Sequence, residues 1–245
     1  MAKDSAGRAR TVKTEQEAQV SGEDGEAMIR AAERYNQRFL PGQQLVTGDA
    51  DTRDAEYESL LNPAWNGAMG ILRIPCIGVE EIIYHYADED TLTKGIGHIH
   101  GSSLPVGGEG THTVLAGHRG LDGQTFLTDM DEVKTGDRFT LETAGETLTY
   151  EVCAISTVLP DEAGSLRIEA GRDLATIVTC TPYGVNTHRL LVTGERVPDD
   201  AASAAGLSGA APRPSTLAWD ALYLSAALLA VMVATKLARD RKKNA

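Results

Sequence analysis

The chain has 245 residues, room for one catalytic core plus appendages, since single cores of roughly 100–200 residues bury enough apolar surface to fold alone. Its formal net charge of −12 argues against a polyanionic partner such as nucleic acid, which calls for clustered Lys and Arg, and suits a peptide or small-molecule substrate. Three cysteines, Cys76, Cys153 and Cys180, are too few for a disulfide scaffold, and their odd number leaves at least one thiol over.

Residues 1–25 are rich in Lys, Arg, Glu, Gln and Ser and cannot bury enough apolar area to offset the entropy of ordering, so a mobile segment is expected. A helical region follows over 26–68. Within it Met28, Ala31, Ala32, Tyr35 and Phe39 recur at helical spacing, and Pro41-Gly42 supplies a stop, which predicts an amphipathic helix over 26–40. A polar, acidic loop over 48–54 leads to Tyr57, Leu60 and Leu61, a short helical segment closed by Asn62-Pro63.

From residue 69 to 198 the texture is β: short runs rich in β-branched residues, punctuated by Gly, Pro and Asp. Strands are expected at 70–74, 79–86, 112–116, 138–143, 147–158, 174–179 and 189–197. Leu148, Tyr150 and Val152 alternate with Thr147, Thr149 and Glu151, so one face of that strand is buried and the other wet. Thr143-Ala144-Gly145-Glu146 supplies the turn before it. Many short strands with little intervening helix suggest a mainly β domain, a closed antiparallel barrel of about eight strands.

Residues 199–216 read as a linker rich in Ala, Ser, Gly and Pro. Residues 217–237 hold an apolar run near the ~20 residues that cross a bilayer, with Trp219 and Tyr223 placed for one interface and Asp220 as its only acidic residue. The basic tail over 238–245 places itself in the cytoplasm and the rest of the chain outside. An outside domain needs an export signal, and residues 1–41 contain no apolar stretch that could serve as one, so the signal is expected upstream of Met1 or to have been removed.

Three residues stand out chemically. Cys180 ends the apolar run Leu174-Ala175-Thr176-Ile177-Val178-Thr179, and Arg189 begins the next, Leu190-Leu191-Val192. If those strands pair antiparallel, their ends lie roughly 5 Å apart across the ladder, so thiol and guanidinium can converge on one small site. A nearby cation favours the thiolate and can stabilise an oxyanion. His118, between the glycines of Gly117-His118-Arg119-Gly120, can shuttle protons at neutral pH. Arg119 competes with Arg189 for the cationic role. On spacing alone, a strand-end cysteine such as Cys180 is more often a small buried hydrophobe than a nucleophile, and a lone histidine such as His118 more often a satisfied loop residue.

The literal residues decide between these. Thr176-Ile177-Val178-Thr179-Cys180-Thr181-Pro182-Tyr183-Gly184-Val185-Asn186-Thr187-His188-Arg189 resembles the Thr-Leu-x-Thr-Cys…Arg signature of the sortases, with Ile177 in place of the usual Leu. The continuation after Cys180 resembles class C, the pilin-assembling sortases, as do residues 97–108 and Thr113-Val114-Leu115-Ala116-Gly117-His118-Arg119-Gly120. The similarity covers about 69–197. It implies a sortase barrel and a transpeptidase with no cofactor, in which Cys180 is the nucleophile, His118 the acid/base and Arg189 the active-site arginine, with Thr179, Thr181 and His98 beside the substrate. The implied partners are an LPXTG-like sorting signal of a pilin or surface protein and an amine acceptor, a pilin lysine or a cell-wall precursor, at the outer face of the membrane. Housekeeping anchoring to peptidoglycan and simple peptide hydrolysis are the alternatives.

Class C sortases often carry a lid of Asp, Pro and an aromatic before the barrel. Asn62-Pro63-Ala64-Trp65 is the nearest approximation, which makes Trp65 the lid candidate, although a Pro-ended helix followed by a packing Trp accounts for the same residues. His98, His100, His112 and His118 suggest a metal cluster only weakly, since no Cys-x-x-Cys or acidic partner accompanies them; no metal is expected. The stretch 97–101 reads as a loop bordering the cleft. Cys76 and Cys153 fall in predicted strands and are expected to be buried. Asp88-Glu89-Asp90 is expected to be a solvated turn, with a calcium site as the alternative.

Overall fold

The computed structural model describes residues 7, 11, 14, 22–44, 53–120, 126–160, 162 and 166–198. The chain divides into two units, Met1–Ala211 and Pro212–Ala245, and the second lies outside the described residues. So do the expected linker, the transmembrane segment at 217–237, the basic tail and most of the first 21 residues. Among the described residues no helix is long and apolar enough to cross a membrane.

Helix α1, Gly22–Asn36, has Glu23 and Asp24 in its first turn and Arg34 in its last, the arrangement that complements the helix dipole. It ends four residues earlier than the spacing predicts because Asn36 turns to another task. Its side-chain amide donates to the Leu104 carbonyl at 3.1 Å and its oxygen accepts from the Leu104 N–H at 2.7 Å, tying the helix end to the barrel. Ile29, Ala32 and Tyr35 are buried, with Met28 and Phe39 packed against the same core. Helix α2, Ala55–Ser59, is capped by Asp54, whose carboxylate accepts from the N–H groups of Glu56 and Tyr57. It delivers Tyr57 into the core with no exposure at all.

Eight strands follow: β1 (Ala68–Ile74), β2 (Val79–His85), β3 (Ile96–His98), β4 (Thr111–Ala116), β5 (Arg138–Thr143), β6 (Glu146–Val158), β7 (Asp173–Thr181) and β8 (His188–Arg196). They close into a barrel in the order β1-β2-β3-β4-β7-β8-β6-β5, with β5 pairing back onto β1. The β5–β6 turn lies where expected, with Ala144 and Gly145 at φ of 46° and 86°, the two positive values of a hairpin turn whose twist matches its strands.

Two expectations are corrected. The barrel is mixed: β2 pairs with β3 and β4 with β7 in parallel, because helix α3 (Glu89–Leu92) and long connections return the chain to the same end of the barrel. Residues 97–101 are also not wholly a loop. Ile96–His98 form β3, a strand of three residues, too short for an alternation to register.

Inside the barrel, Leu72, Ile83, Leu115, Phe139, Tyr150 and Ile177 belong to one continuous core. A second cluster of Val114, Ile168, Val178 and Leu191 covers the opposite face of β4, β7 and β8. Along β7 the residues alternate, Ala175 and Ile177 toward the main core and Val178 toward the second cluster. Cys180 continues the Val178 face.

Candidate active site

Strand β7 lies between β4 and β8, and its last residues organise the site. In the antiparallel β7·β8 ladder Cys180 stands opposite Arg189. In the parallel β4·β7 ladder Ala116 stands opposite Val178, and the pairing runs past the end of β4: the Gly117 N–H donates to the Val178 carbonyl at 3.1 Å. Two residues beyond Ala116 and Val178 are His118 and Cys180. The three residues therefore occupy one row across three adjacent strand ends, spaced at about 4.8 Å per strand. All three belong to the face of Val114, Val178 and Leu191, and all three are half-buried.

Within that row the side chains are held lightly. The Arg189 Nη1 donates to the carbonyls of His188 at 3.2 Å and Asn186 at 3.3 Å, which folds the guanidinium over the β7–β8 turn. Its remaining N–H groups, the Cys180 thiol and the His118 ring have no protein hydrogen bond among the described residues. A thiol, an imidazole and a guanidinium with free valences on one half-buried row can carry out nucleophilic attack, proton transfer and oxyanion stabilisation.

Arg119, the rival cation, is used otherwise. Its side chain is 5% exposed. Nε donates to the Thr128 carbonyl at 3.0 Å, Nη1 to the Thr181 hydroxyl at 3.0 Å, and Nη2 meets the Asp131 carboxylate at 2.6 Å. That leaves Arg189 as the guanidinium facing Cys180.

The other expected site residues divide. Thr181 is half-buried beside Cys180, and its hydroxyl accepts from Arg119. Thr179 is buried, and its hydroxyl donates to the Gly117 carbonyl at 2.8 Å; it supports the His118 loop from the inner side. His98 is corrected outright as a substrate contact. It has no exposed surface. Its Nδ1 accepts from the Tyr57 hydroxyl at 2.7 Å and its Nε2 donates to the Ser103 carbonyl at 2.9 Å. Burial pushes its pKa down to about 3, so the ring is a neutral structural link between α2 and β3.

Trp65 is 77% exposed at φ 53°. It flanks a cleft of about 350 Å³ with Arg53, Glu58, Asn62, His85 and Asp88, a lining that contains none of the Cys180 row.

Of the remaining histidines, His112 binds the Arg167 carbonyl and the Thr176 hydroxyl, both at 2.7 Å. The Nε2 of His100 lies 3.6 Å from the Asp54 carboxylate. No group of three metal-ligating side chains occurs among the described residues. Asp88 caps α3 by accepting from the Thr91 N–H and pairs with Arg53.

Two cysteine expectations also change. Cys76 sits in a 3-10 turn after β1 rather than in a strand, and is half-buried. Cys153 is exposed at the bulge of β6, where the extra residue turns its side chain outward.

Thr128 and Asp131 could not be foreseen as partners of Arg119, since no local spacing joins them to Gly117-His118-Arg119-Gly120.

Comparison with known proteins shows what the chain is similar to. A family model described as the sortase domain matches residues 72–197. The crystal structure of sortase C-1 from Actinomyces oris is 45% identical, covering 71% of this chain and 99% of that one, with a TM-score of 0.65. Sortase C of Streptococcus pneumoniae, whose structure is described as bearing on catalysis and pilin substrate specificity, is 38% identical over 74% of this chain and 92% of that one, with a TM-score of 0.64. Sortase A of Bacillus anthracis is 27% identical over 129 residues, 53% of this chain. The match spans 60% of that curated relative.

Proposed function

The chain belongs to the sortase family, and from that premise we propose that it is a class C cysteine transpeptidase that joins pilin subunits, with Cys180 as nucleophile, His118 as acid/base and Arg189 as anion stabiliser. The observation that carries this is the row itself: Cys180 stands opposite Arg189 in the β7·β8 ladder, and His118 follows two residues after Ala116, the partner of Val178 in the β4·β7 ladder.

In this proposal the Cys180 thiolate attacks the carbonyl carbon of the Thr–Gly bond of an LPXTG-like sorting signal. Negative charge gathers on the carbonyl oxygen, where the free N–H groups of Arg189 receive it. His118 gives its proton to the departing glycine nitrogen, the C–N bond breaks, and a thioester to Cys180 remains. A lysine amine of another pilin then attacks the thioester, loses its proton to His118 and expels the thiolate, leaving an isopeptide bond. Protons and charge balance over the cycle. Membrane tethering through 217–237, with the barrel outside the cell, completes the proposal and is supported by the apolar run and the basic residues that follow it.

Intact mass spectrometry of the full chain in detergent micelles, incubated with an LPXTG-type peptide, tests it. An acyl adduct is expected on the parent and none on Cys180→Ala. His118→Ala and Arg189→Ala are expected to remain folded with turnover severely reduced, and parental turnover in Arg189→Ala would refute its anion-stabilising role. Adding an amine acceptor should convert cleavage product into amide product; unchanged products would favour hydrolysis.

A further inference from the structure

Between His118 and Cys180 the structure contains a set of ties that the proposed chemistry does not itself use. Gly117, Arg119 and Gly120 surround His118; Thr179, Thr181 and Tyr183 surround Cys180. Each member of the first set touches one of the second. The Thr179 hydroxyl donates to the Gly117 carbonyl at 2.8 Å. The Arg119 Nη1 donates to the Thr181 hydroxyl at 3.0 Å. The Tyr183 ring lies so close over Gly120 that a Cβ there would come within 2.3 Å of it.

Arg119 is the unusual member. A guanidinium that is 5% exposed is costly unless every direction is compensated. Here its three nitrogens address three separate segments: the Thr128 carbonyl, the Asp131 carboxylate in the 3-10 turn Met130–Glu132, and Thr181 at the end of β7. The guanidinium donates from three separate nitrogens held in one rigid plane; a lysine ammonium offers its three donors from a single atom and does not span the same acceptors. The parallel ladder supplies its last hydrogen bond at Gly117, one residue short of the imidazole. Beyond that point the His118 carbonyl accepts from the Leu127 N–H at 3.2 Å, and the ties between the His118 loop and the end of β7 are made by side chains.

We propose that Arg119 is a positioning residue: by gripping Thr181 while anchored to Thr128 and Asp131, it holds the His118 loop and the Cys180 strand end at working distance. This rests on the assignment of Cys180 and His118 as the reacting pair. The Arg119 guanidinium is taken up by Thr128, Thr181 and Asp131, none of them a reacting group. It acts through the backbone neighbours of His118 and Cys180.

The test uses the full chain in detergent micelles and two measurements: the rate of Cys180 alkylation by iodoacetamide, resolved from Cys76 and Cys153 by peptide mapping, and kcat and KM with an LPXTG-type peptide. Arg119→Lys keeps the charge and loses the fork; Thr181→Val keeps the shape and loses the hydroxyl. Each is expected to lower the alkylation rate and kcat by about tenfold, with KM within about twofold, because small misplacements of reacting groups are costly. Thr181→Ser should recover most of what Thr181→Val loses. The double variant Arg119→Lys/Thr181→Val should be no slower than the slower single variant, since both remove one tie. Parental alkylation and kcat in both single variants, with only the melting temperature lowered, would overturn the proposal, and so would strictly additive losses. Failure of the parent to form an acyl adduct would instead defeat the proposed function, while the alkylation rates would still decide the role of Arg119.

Discussion

Acidification should destabilise the fold through His98, by an amount that follows from its burial. In the folded chain its pKa is about 3, against an ordinary value of 6.5. Between those values the unfolded chain carries a proton on this ring that the folded chain refuses. Stability is therefore undiminished above pH 6.5, falls by about 1.4 kcal/mol per pH unit as the pH drops through the window, and levels off below about pH 3. At pH 5 the loss from His98 alone is about 2 kcal/mol, or about 4–8 °C in melting temperature for a domain of this size. His85 and His112, also lowered by burial, act in the same direction. The carboxylates that hydrogen bonds and ion pairs hold low, Asp54, Glu56, Asp88 and Glu195, contribute only at more acid pH, whereas Asp173, raised by burial, takes up its proton before they do and opposes the histidines as the pH falls toward the ordinary carboxylate value. Melting the parent and His98→Gln at pH 7.5 and 5.0 isolates the effect. The variant should be less stable at pH 7.5, because the Tyr57 hydroxyl and Ser103 carbonyl lose their partner, yet its loss between the two pH values should be smaller by about 2 kcal/mol. Parallel pH dependences for the two proteins would refute the argument.

Two other substitutions test close approaches. Gly97→Ala places a Cβ 2.4 Å from the Tyr86 carbonyl oxygen and 2.5 Å from the Ala87 Cα. Both are backbone atoms that cannot rotate away, so a loss above about 2 kcal/mol is expected in thermal melting. Gly120→Ala meets the Tyr183 ring and a φ of +75°. It should cost only about 1–2 kcal/mol of stability, because Tyr183 is exposed and can swing out, but turnover with an LPXTG-type peptide should fall; parental turnover would show that the Tyr183 contact does not matter to the site.

Much of the barrel was legible because its long strands carry the information twice, in β-branched composition and in alternation. Strand β6, with Leu148, Tyr150 and Val152 facing in, and the hairpin turn at Ala144-Gly145 are examples. The pairing of Cys180 with Arg189 followed from the same logic, since eight intervening residues suit an antiparallel return. Parallel pairing left no such trace. Residues of β4 and β7 that lie side by side are separated by more than 60 positions, and nothing local in either strand announces the other. The misassignment of His98 has a related cause: glycines and a second histidine interrupt the isoleucines around it, so no clear alternation marks it as buried, and its burial is imposed by Tyr57 from a helix 41 residues earlier. Arg119 could be singled out from its place beside His118, but the direction of a fork is set by Thr128, Asp131 and Thr181 together.

The parallel alignment of β4 and β7 also governs the order in which the molecule can become reactive. A hairpin forms as soon as its two strands have emerged, whereas a parallel pair must await its crossover, and closing so long a loop is slow. His118 is synthesised long before Cys180, and Arg189 only after it. Until β7 inserts between β4 and β8 the thiol has neither imidazole nor guanidinium beside it. In the proposed mechanism, therefore, the catalytic row exists only once the barrel is complete, and a partly made chain holds its cysteine apart from both partners.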